Sequence, residues 1–205
     1  MLTFHKLAWV HHSRHAVFRV LTPEAGVAYM SVDSGSAARS VVEVDAMRLL
    51  ALWRYPETRL VELAYGNPDT WRKDYKFALA AAGFAEGEAN PVPLADVGCA
   101  ELEQTRLSWK RRFWFWKTLV QTEVVRQRHF DFGDGVTRTI WLLAHGAEVF
   151  PIECATAEAP LLQALAGAAG GGRATVAELV PEYSDHYERL REIKEANASR
   201  RWPQQ

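Results

Sequence analysis

The run Asp134-Gly135-Val136-Thr137-Arg138-Thr139 combines the side chains and the backbone freedom that an anion site needs. Gly133 and Gly135 permit positive φ and let the main chain approach a ligand closely. Thr137 and Thr139 offer hydroxyl donors, and Arg138 offers a planar fork matched to phosphate oxygens. The β-run through Phe130-Asp131-Phe132 leads into this turn. About two helical turns follow, closed by Gly146, and a second β-run begins at Val149. A helix starting at such a turn aims unpaired N–H groups and its positive dipole end at the ligand, the arrangement that binds phosphate. The same residues also suit a plain strand-to-helix turn, with Asp134 capping the helix and Arg138 in solvent. Chemistry alone leaves both readings open.

Three other groups carry potential chemistry. Asp134, Glu88 and Glu153 are candidate catalytic carboxylates, with Asp131 beside them in sequence. A metal-dependent phosphodiesterase needs two or more such groups within a few ångströms to orient Mg2+ and a nucleophile. The stretch Trp109–Lys117 interleaves Trp109, Phe113, Trp114, Phe115 and Trp116 with Lys110, Arg111, Arg112 and Lys117. Flat aromatic faces between cations suit single-stranded nucleic acid, an aromatic core with a solvated rim, or a protein interface. Lys110, Arg111, Arg112 and Trp114 are its candidate nucleic-acid or partner contacts. His11, His12 and His15 cluster without a nearby Cys/Asp/Glu ligand set and read as solvated or structural. His145 sits just before Gly146, where it suits the negative end of the helix dipole.

The elements that must position these groups follow from spacing. Ala16–Thr22 and Val27–Val32 read as a hairpin around Pro23-Glu24-Ala25-Gly26. Ser36–Trp53 reads as one helix, with Val42, Ala46, Leu49, Leu50 and Trp53 on a single face, stopped by Tyr55-Pro56. Arg59–Ala64 reads as a short strand. Asn67-Pro68-Asp69 caps a helix running through Tyr75 to Ala82 and ended by Gly83. Asn90–Val97, with two prolines, reads as an extended edge segment. The composition of Phe113–Lys117 fits strand and helix equally. Ala168–Gly172 reads as a flexible linker, and Thr175–Lys194 as an amphipathic helix with a polar tail.

Composition sets the frame. The chain has 205 residues, 48% of them hydrophobic, and a net charge of -1. That suits one globular domain and gives no global pull toward nucleic acid or membrane, so any steering is local. Cys99 and Cys154 suggest neither a disulfide framework nor a zinc site. No apolar run approaches the roughly 18 residues of a membrane span, so the expectation is a cytoplasmic protein without membrane insertion.

Gly135-Val136-Thr137-Arg138, with the exit Gly146…Val149-Phe150-Pro151-Ile152 and the Pro91–Leu94 strand, resembles the ParB/sulfiredoxin superfamily signature. The resemblance implies an α+β fold, a mixed sheet with flanking helices in a single domain. In sulfiredoxins the residue after the glycine is the catalytic cysteine; here it is Val136, which excludes sulfinic-acid reduction. One of the two adjacent arginines of the ParB nucleotide pattern is replaced by Thr137, and no helix-turn-helix is evident.

A narrower resemblance rests on Trp71-Arg72-Lys73-Asp74-Tyr75-Lys76-Phe77, Gly83-Phe84, Glu88–Ala95 and Asp134–Leu143. These segments are similar to the plasmid fertility-inhibition factors of the Osa and FiwA type, and the similarity covers about residues 1–165. It implies a domain over 1–167 with a linker and tail at 168–205. It also implies a block of DNA transfer through type IV secretion at the coupling step. The implied partners are the coupling protein or relaxosome, and DNA. Candidate cofactors are ATP or another nucleotide, and Mg2+. The alternative from the same residues is a nucleotide-hydrolysing or metal-dependent DNA-cleaving enzyme.

Overall fold

The computed structural model describes residues 1–11, 13–36, 38–55, 58–111 and 117–181, with backbone alone at 36, 102–111 and 117–127. The first sheet grows from the expected hairpin. β2 (Ser13–Thr22) and β3 (Gly26–Asp33) pair antiparallel from Thr22↔Gly26 to His15↔Asp33. Their alternating residues Phe18, Val20, Met30 and Val32 are buried on one face, the period-2 pattern of a half-buried sheet. β1 (Phe4–Val10) flanks β2, and β5 (Val92–Pro93) runs parallel to β3 at the other edge. β5 is only two residues long because Pro91 and Pro93 have no N–H to give a ladder. The edge segment therefore ends by Leu94, and Ala95–Val97 belongs to the interior of the second sheet.

That sheet has the order β7-β6-β8-β4-β9. β4 spans Arg39–Asp45, β6 Ala95–Arg111, β7 Lys117–Asp134, β8 Val149–Ala155 and β9 Arg173–Thr175. β6 and β8 are parallel, and the other neighbours are antiparallel. The molecule thus has two mixed sheets where the sequence suggested one. A single cluster of buried side chains spans both, among them Phe18, Trp53, Phe130, Ile140, Phe150 and Leu162. It is one domain.

Several sequence expectations change here. The single helix over Ser36–Trp53 is instead β4 followed by α1 (Ala46–Trp53). Val41, Val42 and Val44 are β-branched and fit a central strand, and Asp45 accepts the Arg48 N–H as the helix cap. Arg59–Ala64 is no strand. Leu60 takes a left-handed φ of 54°, and α2 (Val61–Ala64) follows. Asn67 does cap, closing a capping box on α3 (Pro68–Trp71), but a separate helix α4 (Phe77–Ala85) runs through Gly83. Pro56 lies outside the described residues.

The Ala168–Gly172 stretch is pinned rather than flexible. Glu43 of β4 accepts from the Gly172 N–H at 2.7 Å, and the Glu43 carbonyl accepts from the Ala168 N–H at 2.9 Å. The chain then enters β9 on the edge of β4, followed by α7 (Val176–Leu179). The remainder of the tail helix expected through Lys194 lies outside the described residues.

Candidate functional site

The turn is built as its residues require. β7 ends at Asp134, Gly135 adopts φ 85° as the N-cap, and α5 (Val136–Ala144) follows directly. Two constraints fix glycine at Gly135. Its φ is left-handed, and a Cβ there would lie 2.6 Å from the Ala95 Cα. Gly146, φ 77°, closes the helix, and β8 begins three residues later.

Family-like segments far away in sequence hold α5 in place. Phe84 of α4 stacks on Trp141 at 4.1 Å between ring centroids, and Phe77 stacks on His145. Arg72 donates to the Ala144 carbonyl at the C-terminal end, and Trp71 is buried with its indole N–H on the Leu63 carbonyl. His145 itself bonds the Trp141 carbonyl through Nδ1 at 2.8 Å, in keeping with its expected structural role. The Trp71–Phe77, Gly83-Phe84 and Asp134–Leu143 segments are therefore parts of one assembly around the turn.

No side chain caps α5, so the N–H groups of its first turn have no intrahelical acceptor. That first turn faces a cleft of about 960 Å³, a volume suited to a nucleotide-sized ligand. Val136, Thr137 and Arg138 line it. Arg59, Tyr75, Lys76, Leu79 and Leu60 form its other walls. None of these five carries a site signature in the sequence: Arg59 and Leu60 fall in the segment read as a strand, and Tyr75, Lys76 and Leu79 in the segment read as a helix. Thr139 is not available to a ligand: it is buried, and its hydroxyl donates to the Gly135 carbonyl at 3.2 Å. Thr137 and Arg138 are half-buried at the cleft.

Asp134 is engaged twice. One carboxylate oxygen accepts the Gly135 N–H at 2.7 Å, and the other accepts from the Arg138 guanidinium at 2.8 Å. The Asp134 side chain is 79% exposed, whereas that of Arg138 is 16% exposed. Asp131 and Glu153, the other conceivable partners of Arg138, are paired elsewhere. Asp131 lies 3.7 Å from Arg59, and Glu153 lies 3.2 Å from Arg39. The Arg138 Nε is buried without a hydrogen-bond partner.

The three candidate catalytic carboxylates do not come together. Asp134, Asp96 and Glu153 occupy one row across β7, β6 and β8. Asp134 and Glu153 are each paired with an arginine, Arg138 and Arg39 respectively, and the strand of Asp96 lies between them. Arg39 neutralises the far end of this row, pairing with both Asp96 and Glu153. Glu88 lies in a 3-10 turn, Gly87–Ala89, paired with Lys6 and His5, and does not line the cleft. Lys6 and His5 hold its carboxyl below the ordinary value. No group of three His, Cys, Asp or Glu residues suited to a metal occurs among the described residues. The Arg39–Asp96–Glu153 network had no signature in the sequence.

The remaining candidates are placed as follows. His15 hydrogen-bonds Ser13 and Ser31, and His11 bonds Asn90, so both rings serve the fold; His12 lies outside the described residues. Cys99 and Cys154 are buried free thiols, pushed up by burial to about 11 and about 12, which disfavours the nucleophilic thiolate. Lys110 and Arg111 end β6, and Arg112 and Trp114 lie outside the described residues. Among the described residues no helix is long and apolar enough to cross a membrane.

Comparison with known proteins agrees with this arrangement. The family model for the plasmid fertility inhibition factor matches residues 41–167, a span that contains α1 through α5, α6 (Ala159–Ala166) and the whole turn. The protein Osa of Shigella flexneri is 28% identical over 139 residues, covering 66% of this chain and 60% of that relative's length. The crystal structure of an oncogenic suppression activity protein, described as a plasmid fertility inhibition factor, superposes with a TM-score of 0.62 at 25% identity. That match covers 94% of this chain and 86% of the other. With the family model spanning well over half its length, the chain belongs to the plasmid fertility inhibition factors.

Proposed function

We propose that this protein inhibits conjugative DNA transfer through type IV secretion at the coupling step, and that the turn at Asp134–Thr139 holds the phosphate of a nucleotide such as ATP. The partner is then the coupling protein or the relaxosome. The observation that carries the nucleotide reading is the uncapped first turn of α5, opening with Arg138 onto a nucleotide-sized cleft. The reading is one of binding. Asp134, Glu153 and Glu88 are each engaged by a cation, which favours holding a nucleotide over hydrolysing it, and any Mg2+ would be held chiefly by the nucleotide's own phosphates.

The test has two readouts. Expression of the wild-type protein in a donor cell lowers the transfer frequency of a susceptible plasmid, and ATP raises the protein's melting temperature. Arg138→Ala keeps the circular dichroism spectrum, loses the ATP-dependent shift and restores transfer. Unchanged frequency across several transfer systems would refute the inhibition reading. An equal ATP shift in Arg138→Ala and wild type would refute the phosphate site.

A further inference from the structure

Besides its cationic end, the cleft at Arg138 has an apolar wall. Leu60, Tyr75 and Leu79 line it, and all three are exposed to solvent. Apolar side chains gathered in one open concavity mark a surface that a ligand covers. Two local features keep this wall in place. Leu60 takes a left-handed φ of 54°, a conformation disfavoured for a residue with a Cβ. It nonetheless stays 48% exposed, so little of that cost is offset by burying its side chain. Backbone strain of this kind persists at ligand clamps. Tyr75 lies in the link between α3 and α4. There the Asp74 carboxylate accepts the Lys76 N–H at 2.9 Å, and the Asp74 carbonyl accepts the Phe77 N–H at 3.0 Å. Phe77 is buried and stacks on His145, so the turn is anchored while Tyr75 stays 83% exposed.

A nucleobase is recognised by its edge or by its face. Edge reading needs a donor and an acceptor fixed side by side, as an Asn or Gln amide provides. Among the described residues no Asn, Gln, Ser or His lines the cleft. Its carboxylates are committed to the protein itself. Asp74 accepts the Lys76 N–H, Asp131 accepts the Phe132 N–H and lies near Arg59, and Asp134 accepts from the Gly135 N–H and Arg138. Thr137 stands in the first turn of α5, at the phosphate end. What the cleft offers a base is an aromatic ring flanked by aliphatic side chains, and every base has a face that suits it. Arg59 and Lys76, on the same cleft, add positive charge for a ligand with more than one phosphate.

On the reading that Arg138 and the first turn of α5 take a phosphate, we propose that the base of the nucleotide stacks on Tyr75, against Leu60 and Leu79, and that the cleft reads no base edge. Its ligand class is then the nucleoside polyphosphates of any base, selected by their phosphates.

Calorimetric titration of the full chain with ATP, GTP, CTP, UTP and inorganic tripolyphosphate tests this. The wild type binds the four nucleotides within about ten-fold of one another, and tripolyphosphate more weakly than any of them. Tyr75→Ala weakens ATP binding by about five-fold or more and leaves tripolyphosphate binding unchanged. Tyr75→Phe keeps the ring and binds ATP as the wild type does. Leu60→Gly relieves the left-handed strain, so the ligand-free melting temperature holds or rises while ATP affinity falls. ATP affinity unchanged in both Tyr75→Ala and Leu60→Gly overturns the base wall. A preference for one base well beyond ten-fold overturns the absence of edge reading; a GTP preference lost in Arg59→Ala would make Arg59 the reader. The phosphate reading fails separately. If Arg138→Ala binds tripolyphosphate and ATP as the wild type does while Tyr75→Ala loses ATP, the base wall stands without it. If tripolyphosphate binding depends on Arg138 and no nucleotide binds better than tripolyphosphate, the phosphate site stands and this proposal falls. Binding of none of the five ligands overturns both.

Discussion

Asp134 stands in an ambiguous relation to the site it helps build. Its bond to the Gly135 N–H shapes the turn, yet its charge occupies Arg138 and repels an incoming anion. Asparagine there can still accept the Gly135 N–H through its oxygen but leaves the guanidinium free. Asp134→Asn is therefore expected to increase the ATP-dependent melting shift; a carboxylate that took part in binding would instead make the shift shrink. Gly135→Ala is a different case. It forces a left-handed φ on a residue with a Cβ and drives that atom into Ala95. A loss of at least about 2 kcal/mol is expected in denaturant unfolding, with the anion response lost as well. The glycine, the arginine and their spacing were readable directly. The Asp134–Arg138 pair was not, because nothing in a sequence says which of Asp131, Asp134 and Glu153 an arginine will reach.

At the scale of elements, legibility followed locality. The β2–β3 hairpin and the β7–turn–α5–β8 unit each carry their own punctuation, Pro23 to Gly26 in one and Gly133, Gly135 and Gly146 in the other. The β4–α1 segment misled because its strand and helix share apolar positions: Val42 and Ala46 are four apart by coincidence, across the Asp45 cap. The 168–172 stretch misled because its order comes from a distant partner, Glu43. That carboxylate is buried and accepts from the Thr3 N–H at 2.5 Å, the Thr3 hydroxyl at 2.7 Å and the Gly172 N–H at 2.7 Å. Burial alone would raise its pKa, but these donated bonds outweigh burial and hold it below the ordinary carboxylate value. A depressed folded pKa contributes stability above the unfolded value and loses it as pH falls through the folded value. Glu43→Gln turns an amide NH2 toward a backbone donor and should cost about 1–3 kcal/mol at neutral pH. The gap to wild type should then close as pH falls through and below the usual carboxylate range. Melting curves across that range check it: a gap constant with pH would mean that Glu43 acts by shape and not by charge.

For the molecule as a whole, the same carboxylate decides where the folding unit ends. The family match stops at residue 167, and the sequence reading placed the boundary there too, at the start of an Ala/Gly run. The packing carries on further. β9 completes the edge of β4, the Gly172 N–H satisfies Glu43, and Val176 and Val180 are buried in the common core. A chain ending at residue 167 leaves Glu43 with the Thr3 donors alone and removes both valines. The combined loss is roughly 3 kcal/mol or more, a large share of what a domain of this size has to spare. Ending the chain at residue 181 keeps all of these contacts. Comparing the two truncations by thermal unfolding, the longer is expected to melt as the full chain does and the shorter well below it. Equal melting of the two would mean that the second sheet closes without β9, and that Glu43 finds its third donor in solvent.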